Sequence, residues 1–319
     1  MRSVSRSDAR NVILIGVNDQ HSRTRAEDAL VVTTFSRRMT LELTDGERVP
    51  ARIKGKRLKP VCGDTVRAES LPNEDEWLIT GISDRGNALT RPNIRGEAEV
   101  LAANIDQLVV VVSALPRADW FIADRYIAAA EHMGARPVVV FNKADLDQPG
   151  DALDVYRRLD YPVVTTSAED RQGVESLAEL LAGKTSIFVG QSGVGKSSLI
   201  NLLVESADQR TAEVSDKLEE GRHTTVNSAL LRLGDGGAVI DSPGVRDYAP
   251  AFTRDDNIAA GFIEIAAAAQ HCRFSNCKHL QEPGCAVKAA VEDGGIDARR
   301  YESYRRLLFL TERLAEGRY

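Results

Sequence analysis

Long apolar runs are missing from this 319-residue sequence. The most extended one, near residues 108–115, is far short of the ~20 residues a membrane-spanning helix needs. Residues 12–16 are too brief for the apolar centre of a secretory leader, so no signal peptide is read. The expected location is the cytoplasm, with no membrane partner. Four cysteines are too few for a disulfide scaffold. Aromatics are scarce at 5%, but 43% hydrophobic and 28% charged residues are ordinary for a globular chain and exclude a collagen-like or wholly disordered one. There is no internal repeat and no low-complexity segment. At roughly 150 residues per domain, the length suits about two domains.

The net charge of −6 is unevenly placed. Residues 1–60 carry 13 Lys+Arg against 7 Asp+Glu, and the remainder carries 28 against 40. A basic N-terminal part on an acidic chain points to a polyanionic partner for that part.

Residues 1–28 are polar, Arg-rich and without sustained periodicity, and are read as a flexible tail. Short strands follow at residues 30–35, 39–43, 49–54, 64–68 and 77–82, with Asp45-Gly46 as a hairpin turn. Five short strands in about fifty residues suit a small closed barrel of the OB type, assigned to residues 29–98. Arg48, Arg52, Lys54, Lys56, Arg57 and Lys59 would give it a basic, RNA-binding rim.

After Arg91-Pro92 the pattern becomes strand and helix in alternation. The Val-rich run at residues 107–113 marks a strand buried on both faces. Helices at 120–132, 153–159, 174–182 and 196–204 alternate with strands at 137–141, 163–165, 186–189, 229–233 and 237–240. This implies an α/β domain with a parallel-type sheet over residues 99–248. Residues 249–319 read as helices around a Cys-rich loop.

Gly190-Gln191-Ser192-Gly193-Val194-Gly195-Lys196-Ser197 matches GxxxxGK[ST] after a strand and before a helix, with Ser198 next in the helix. Glycines let successive N–H groups converge on phosphate oxygens, and the helix adds its positive end. Lys196 would reach the β- and γ-phosphates and Ser197 would ligate Mg²⁺. Asp241-Ser242-Pro243-Gly244 follows a second apolar strand. There Asp241 would hold Mg²⁺ through water and the Gly244 amide would sense a γ-phosphate.

Asn142-Lys143-Ala144-Asp145 also ends a strand. The Asp145 carboxylate can accept both N1–H and N2–H₂ of guanine, a pair adenine lacks, and a buried acceptor left unpaired by the wrong base discriminates strongly. Ser167-Ala168, after the next strand, would bring a backbone N–H to the guanine O6. In GTPases of the ordinary type the phosphate loop comes first; here NKAD and Ser167-Ala168 precede it. All these loops still lie at the carboxyl edge of one sheet, so a circular permutation preserves the site.

Residues 205–227 are polar and aperiodic and are read as a mobile switch containing Gly221-Arg222-His223-Thr224-Thr225. Val245 stands where Ras-type GTPases carry a water-orienting Gln, so slow intrinsic hydrolysis is expected, with His223 or a partner's group in its place. The catalytic set is read as His223, Lys196, Thr224 and Thr225, with Thr225, or else Thr224, joining Ser197 on Mg²⁺.

Cys272-x₄-Cys277-x-His279-x₅-Cys285 offers three thiolates and an imidazole, the donor set of one closed, structural Zn²⁺ site. His271 competes with His279 for the fourth position. Cys62 is read as a buried small residue, and His21 and His132 as surface or core residues.

With these motifs in this order, the chain resembles the circularly permuted, ribosome small-subunit-dependent GTPases, the RsgA/YjeQ family, over about residues 30–319. The resemblance implies three parts: an OB barrel, a permuted P-loop GTPase domain and a C-terminal α-helical zinc-binding domain. It implies a late factor in small ribosomal subunit maturation that binds the subunit and its rRNA near the decoding region. GTP hydrolysis would be stimulated by the subunit and would help release other assembly factors. It also places Thr224 and Thr225 in the switch and makes His223 a catalytic candidate. A monomer is expected. Two alternatives are a small-molecule P-loop kinase or ATPase, which Asp145 disfavours, and an RNA-binding module using guanine nucleotide only structurally, which Lys196, Ser197 and Asp241 disfavour.

Overall fold

The computed structural model describes residues 25–35, 38–55, 57–72, 74–92, 98–211, 228–234, 236–242, 252 and 256–315. Five strands form the N-terminal barrel: β1 (Ala26–Phe35), β2 (Arg38–Glu42), β3 (Arg48–Ile53), β4 (Thr65–Ser70) and β5 (Trp77–Ile82). Their order is β1-β2-β3-β5-β4, and β4 pairs back onto β1 to close the barrel. Alternate residues point inward, as a half-buried strand requires. Val31, Leu41, Val66 and Ile79 are fully buried there. β1 starts earlier than residues 30–35 suggest, because residues 26–30 pair with β4 from Ala26↔Glu69 onward.

β6 (Ala88–Pro92) and β7 (Ala98–Ala103) form a separate hairpin. The sequence pattern did not show it, since Pro92 and the charged residues after it break any alternation. Leu89, Ala102 and the nearby Ile105 are buried and join the core of the main sheet.

That sheet contains β8 (Gln107–Ser113), β9 (Arg136–Asn142), β10 (Val163–Thr165), β11 (Thr185–Val189), β12 (Ser228–Arg232) and β13 (Ala238–Asp241). The order is β10-β9-β8-β11-β13-β12, parallel throughout except β12, which runs antiparallel to β13. A wholly parallel sheet was not to be had here. β12 and β13 are five residues apart, and so short a connection joins only antiparallel neighbours. β12 also pairs with β1 at Thr33↔Ala229, so barrel and main sheet are hydrogen-bonded into one.

β8 shows why a continuous apolar run was needed. Leu108, Val110 and Val112 face α1 (Trp120–Met133) and α2 (Asp154–Arg158). Val109 and Val111 face α3 (Val174–Leu181) and α4 (Lys196–Thr211). Helices on both faces leave the middle of the strand apolar, and its two buried polar ends, Gln107 and Ser113, are hydrogen-bonded. α4 runs well past residue 204, to Thr211, so the polar segment read as a switch from residue 205 begins inside a helix. Its Glu205, Ala207, Gln209 and Arg210 are good helix formers that lack an apolar stripe.

The C-terminal region has a 3₁₀ turn at Ile258–Gly261, then α5 (Ile263–Ala269), α6 (Ala286–Glu292) and α7 (Ala298–Ala315). Its core of Phe262, Ile265, Val287, Tyr304 and Leu307 includes Ala128 and Ala129 of α1, so the two regions share packing. Arg300 is fully buried at this junction. It bonds Glu264 at 2.7 and 3.0 Å and Asp124 of α1 at 3.1 Å. Asp124 also accepts from Tyr156 at 2.7 Å and Ser303 at 2.6 Å. No helix among the described residues is long and apolar enough to cross a membrane.

Candidate functional site: a nucleotide cleft and a metal-binding loop

The phosphate loop leaves β11 at Gly190 and ends where α4 begins at Lys196. Gly190 has φ +144, and a Cβ there would lie 2.2 Å from the carbonyl oxygen of Val111. Gly195 has φ +96, and a Cβ there would lie 2.2 Å from Asn142 Nδ2. Both positions therefore require glycine, one for the turn and one for the approach of the neighbouring loop. The loop lines a cavity of about 390 Å³ with Ser192, Gly193, Gly195, Lys196, Ser197, Ser198 and Lys143. Lys196 is buried, and its ammonium donates to the carbonyls of Gly190 and Gln191 at 2.7 Å each.

The NKAD residues converge on this loop from β9. Asn142, fully buried, donates to the Val194 carbonyl at 2.9 Å and accepts from Thr166 at 3.0 Å. Lys143 donates to the Gly193 carbonyl at 2.7 Å and to that of Leu115 at 2.5 Å. Its φ of +61 is left-handed, unusual for a lysine, and it turns the side chain over the phosphate loop. Ser167 donates to Asp145 at 2.7 Å and accepts the Asp170 N–H at 3.1 Å. One Asp145 oxygen is thus held by Ser167, fixing the carboxylate's direction. Ala168 follows in the same turn. Asp241 closes β13 beside β11, on the same edge of the sheet.

Sequence order and spatial order differ as the permutation requires. Asn142–Asp145, Ser167-Ala168 and the loop at residues 190–198 come together although the last follows the others in the chain. His223, Thr224, Thr225, Gly244 and Val245 lie outside the described residues, as do His21 and Lys56. Two contributors were not singled out from sequence. Asp119 has the signature of an N-cap before an apolar helix, and its carboxylate does accept the N–H groups of Phe121 and Ile122. Thr166 gave no such signal.

Cys272, Cys277, His279 and Cys285 place one donor atom each within 4.8 Å of one another. The Cys272–Cys285 sulfur separation is 3.9 Å, and His279 Nδ1 lies 3.5 and 3.6 Å from those two sulfurs. A tetrahedron with metal–sulfur bonds of about 2.3 Å and a metal–nitrogen bond of about 2.0 Å has edges of about 3.8 and 3.5 Å. Cys272, His279 and Cys285 therefore already stand at tetrahedral spacing, with the Cys277 sulfur within 4.8 Å of each of them. His279 rather than His271 completes the set, from a left-handed backbone (φ +59). Burial holds the His279 imidazole below its ordinary pKa, which favours the neutral ligand form.

The loop is held from outside the donor set. Glu282 accepts the N–H groups of Lys278, Leu280 and Gln281 at 2.9, 2.9 and 3.0 Å, and these backbone bonds pull its pKa down to about 2. Tyr301 and Tyr304 of α7 donate to the carbonyls of His279 and Lys278 at 2.5 and 2.9 Å. Cys285 also caps α6, accepting the Lys288 N–H at 3.5 Å. Cys62, by contrast, is fully buried under the barrel and donates to the Val32 carbonyl; burial raises its pKa to about 12.

On the barrel rim several cations are already matched. Arg48 pairs with Glu42, and Arg52 with Glu74 and Glu76. Lys54, Arg57 and Lys59 are exposed. The basic rim is therefore narrower than the residue count suggests.

A closed five-stranded barrel, a nucleotide sheet whose base-reading loops precede its phosphate loop, and a Cys₃His helical region define a circularly permuted P-loop GTPase. The RsgA GTPase family profile matches residues 82–250. The chain is 44% identical over 242 residues to the small ribosomal subunit biogenesis GTPase RsgA of Ectopseudomonas mendocina (strain ymp), covering 74% of this chain and 71% of that one. It is 37% identical over 300 residues to the protein of the same name from Azotobacter vinelandii, covering 88% and 85%. Among solved structures, YjeQ from Thermotoga maritima superposes with a TM-score of 0.69 at 33% identity, over 90% of this chain and 99% of that one. YloQ, described as a circularly permuted GTPase, gives 0.70 at 26% identity, over 92% and 97%. The chain belongs to the RsgA GTPase family.

Proposed function

We propose that this protein binds the small ribosomal subunit late in its assembly, hydrolyses GTP there and couples hydrolysis to its own release or that of other assembly factors. The observation carrying this reading is the junction of Asn142 and Lys143 with the phosphate loop, which makes base identity and phosphate binding one site. The relatives' shared name supplies the small subunit as the partner class. rRNA is the proposed ligand of the barrel rim at Lys54, Arg57 and Lys59. The protein acts as a cytoplasmic monomer in three parts: a barrel to about residue 98, the GTPase domain to about 248 and the helical region beyond.

Asp145 reads the guanine edge, held in place by Ser167, and the backbone N–H after Ser167 meets the base oxygen. Backbone N–H groups from Gly190 to Ser198 hold the phosphates. Lys196 exchanges its two carbonyl partners for β- and γ-phosphate oxygens, where its charge favours the transition state. Ser197, Asp241 and Thr225 would hold Mg²⁺, which supplies charge neutralisation between the β- and γ-phosphates. His223 is the proposed group that orients the attacking water, with Thr224 beside it and Gly244 facing the γ-phosphate. The Cys₃His set suits zinc, since three thiolates and one imidazole within 4.8 Å of one another favour a soft-to-borderline ion without a required redox role. Four protein donors leave no open position, so its role is structural.

Co-sedimentation with purified small subunits tests the reading. The GTP-analogue form is expected to pellet with subunits and the GDP form to remain in the supernatant. Equal pelleting of both forms would overturn it.

A further inference from the structure

Trp120 sits where the nucleotide sheet meets the C-terminal helices. It is the first residue of α1, directly after the N-cap Asp119. The Asp119 carboxylate accepts the N–H groups of Phe121 and Ile122 at 3.0 and 3.3 Å. The Asp119 N–H donates to Gln191 Oε1 at 3.3 Å. Gln191 is the second residue of the phosphate loop, so a phosphate-loop side chain is engaged by the start of α1. On its other side, Trp120 meets the Arg299 guanidinium of α7, 4.8 Å from the ring centroid. Arg299 also lies 5.2 Å from the Tyr156 ring.

Gln191, with Gly190, is also a residue whose carbonyl loses a donor if a phosphate takes the Lys196 ammonium. Its carbonyl accepts the Lys196 ammonium at 2.7 Å. A phosphate that takes that ammonium leaves the Gln191 carbonyl to find another donor, and the loop readjusts at the residue that holds α1. Arg300, next to Arg299 and fully buried, ties α7 to Asp124, one turn into α1. The two helices are thereby locked together one turn beyond Trp120, so a shift of the first turn of α1 is felt at Arg299 rather than absorbed by a loose interface.

We propose that Gln191, Asp119, Trp120 and Arg299 form a relay that reports occupancy of the phosphate loop to α7 and the metal-binding region. Gln191 and Arg299 are its positioning residues. The route is independent of the residues between β12 and the phosphate loop, and of any ribosomal partner.

The test uses the full chain without ribosomes. The chain has two tryptophans, so 5-fluorotryptophan labelling gives two ¹⁹F signals, assigned with the Trp77→Phe variant. With GDP or a non-hydrolysable GTP analogue at saturation, the Trp120 signal is expected to shift and the Trp77 signal to stay. Gln191→Ala, at nucleotide concentrations that saturate it, is expected to lose the Trp120 shift. Arg299→Ala is expected to keep that shift but lose the nucleotide-dependent change in amide exchange along α7, and Arg299→Lys to restore part of it. The relay is overturned by a Trp120 signal that ignores nucleotide. It is equally overturned by an unchanged shift in Gln191→Ala, or by a full α7 response in Arg299→Ala.

Discussion

Asn142 and Val194 are 52 residues apart in sequence and joined by a buried 2.9 Å hydrogen bond. Through it the loop that reads the base and the loop that holds the phosphates are one rigid unit. Asn142→Ala removes the side-chain donor to the buried Val194 carbonyl and leaves the Thr166 hydroxyl only its longer 3.5 Å bond to the Phe141 carbonyl. Losing such a buried partner costs about 1–3 kcal/mol, so GDP binding should weaken roughly 5- to 150-fold. Titration with a fluorescent guanine nucleotide measures this. Unchanged affinity would mean the two loops are held together by other contacts.

Asp145 tests the base assignment. Asp145→Asn keeps one oxygen that can accept guanine N1–H but replaces the acceptor for the exocyclic N2–H₂ with an amide N–H₂ donor. GTP affinity should fall by at least ~100-fold as two charge-assisted bonds are lost. Xanthosine triphosphate, which carries a carbonyl where guanine carries the exocyclic amine, should gain affinity in the same variant. Competition binding with both nucleotides distinguishes this switch from simple damage to the site.

Much of this site was legible before any coordinates, and the reason is physical. GxxxxGK[ST] and NKAD are short, local demands on backbone and chemistry, and each is readable wherever it falls in the chain. The Val-rich β8 likewise announces burial on both faces. What was not legible depends on tertiary partners. The β6–β7 hairpin is held by Leu89 and Ala102 packing against the main sheet, with no alternation of its own. The polar second half of α4 lacks an apolar stripe, and the role of Glu282 exists only because three N–H groups of its loop converge on it. The neutralisation of Arg48 and Arg52 comes from acids 6 and 22 residues away.

The metal-binding loop should fail in two ways at once when Cys285 is lost, because its sulfur is both donor and helix cap. Cys285→Ala is expected to lower the zinc content from one per chain to near zero and to lose helical signal from α6. Removing a cap alone costs about 0.5–2 kcal/mol, so a larger loss in melting temperature than an N-cap deletion elsewhere is expected. Elemental analysis with thermal circular dichroism checks both. Full zinc retention would place the fourth donor elsewhere.

Arg300 should be among the most damaging single positions. Arg300→Met leaves Asp124 and Glu264 facing one another in a buried site, and removing one partner of a buried pair costs about 3–5 kcal/mol. Chemical denaturation is the measurement, with Arg305→Met as the exposed comparison expected to change little. Equal effects of the two would contradict the burial of Arg300.

On the barrel rim, reversing charge at Lys54 and Arg57 should weaken subunit binding in a salt-dependent way. Two lost phosphate contacts should reduce the salt slope by about 2. Arg48→Gln should do less, because Arg48 already faces Glu42 at 3.2 Å. A greater effect of Arg48→Gln would move the RNA-facing surface to the other side of the rim.

The most direct measurement is steady-state nucleotide turnover with and without purified small ribosomal subunits, using ATP as the control substrate. Slow GTP turnover that rises steeply with subunit concentration, with no ATP turnover, is the expected result. GTP turnover indifferent to subunits, or ATP used as readily as GTP, would contradict a subunit-stimulated GTPase.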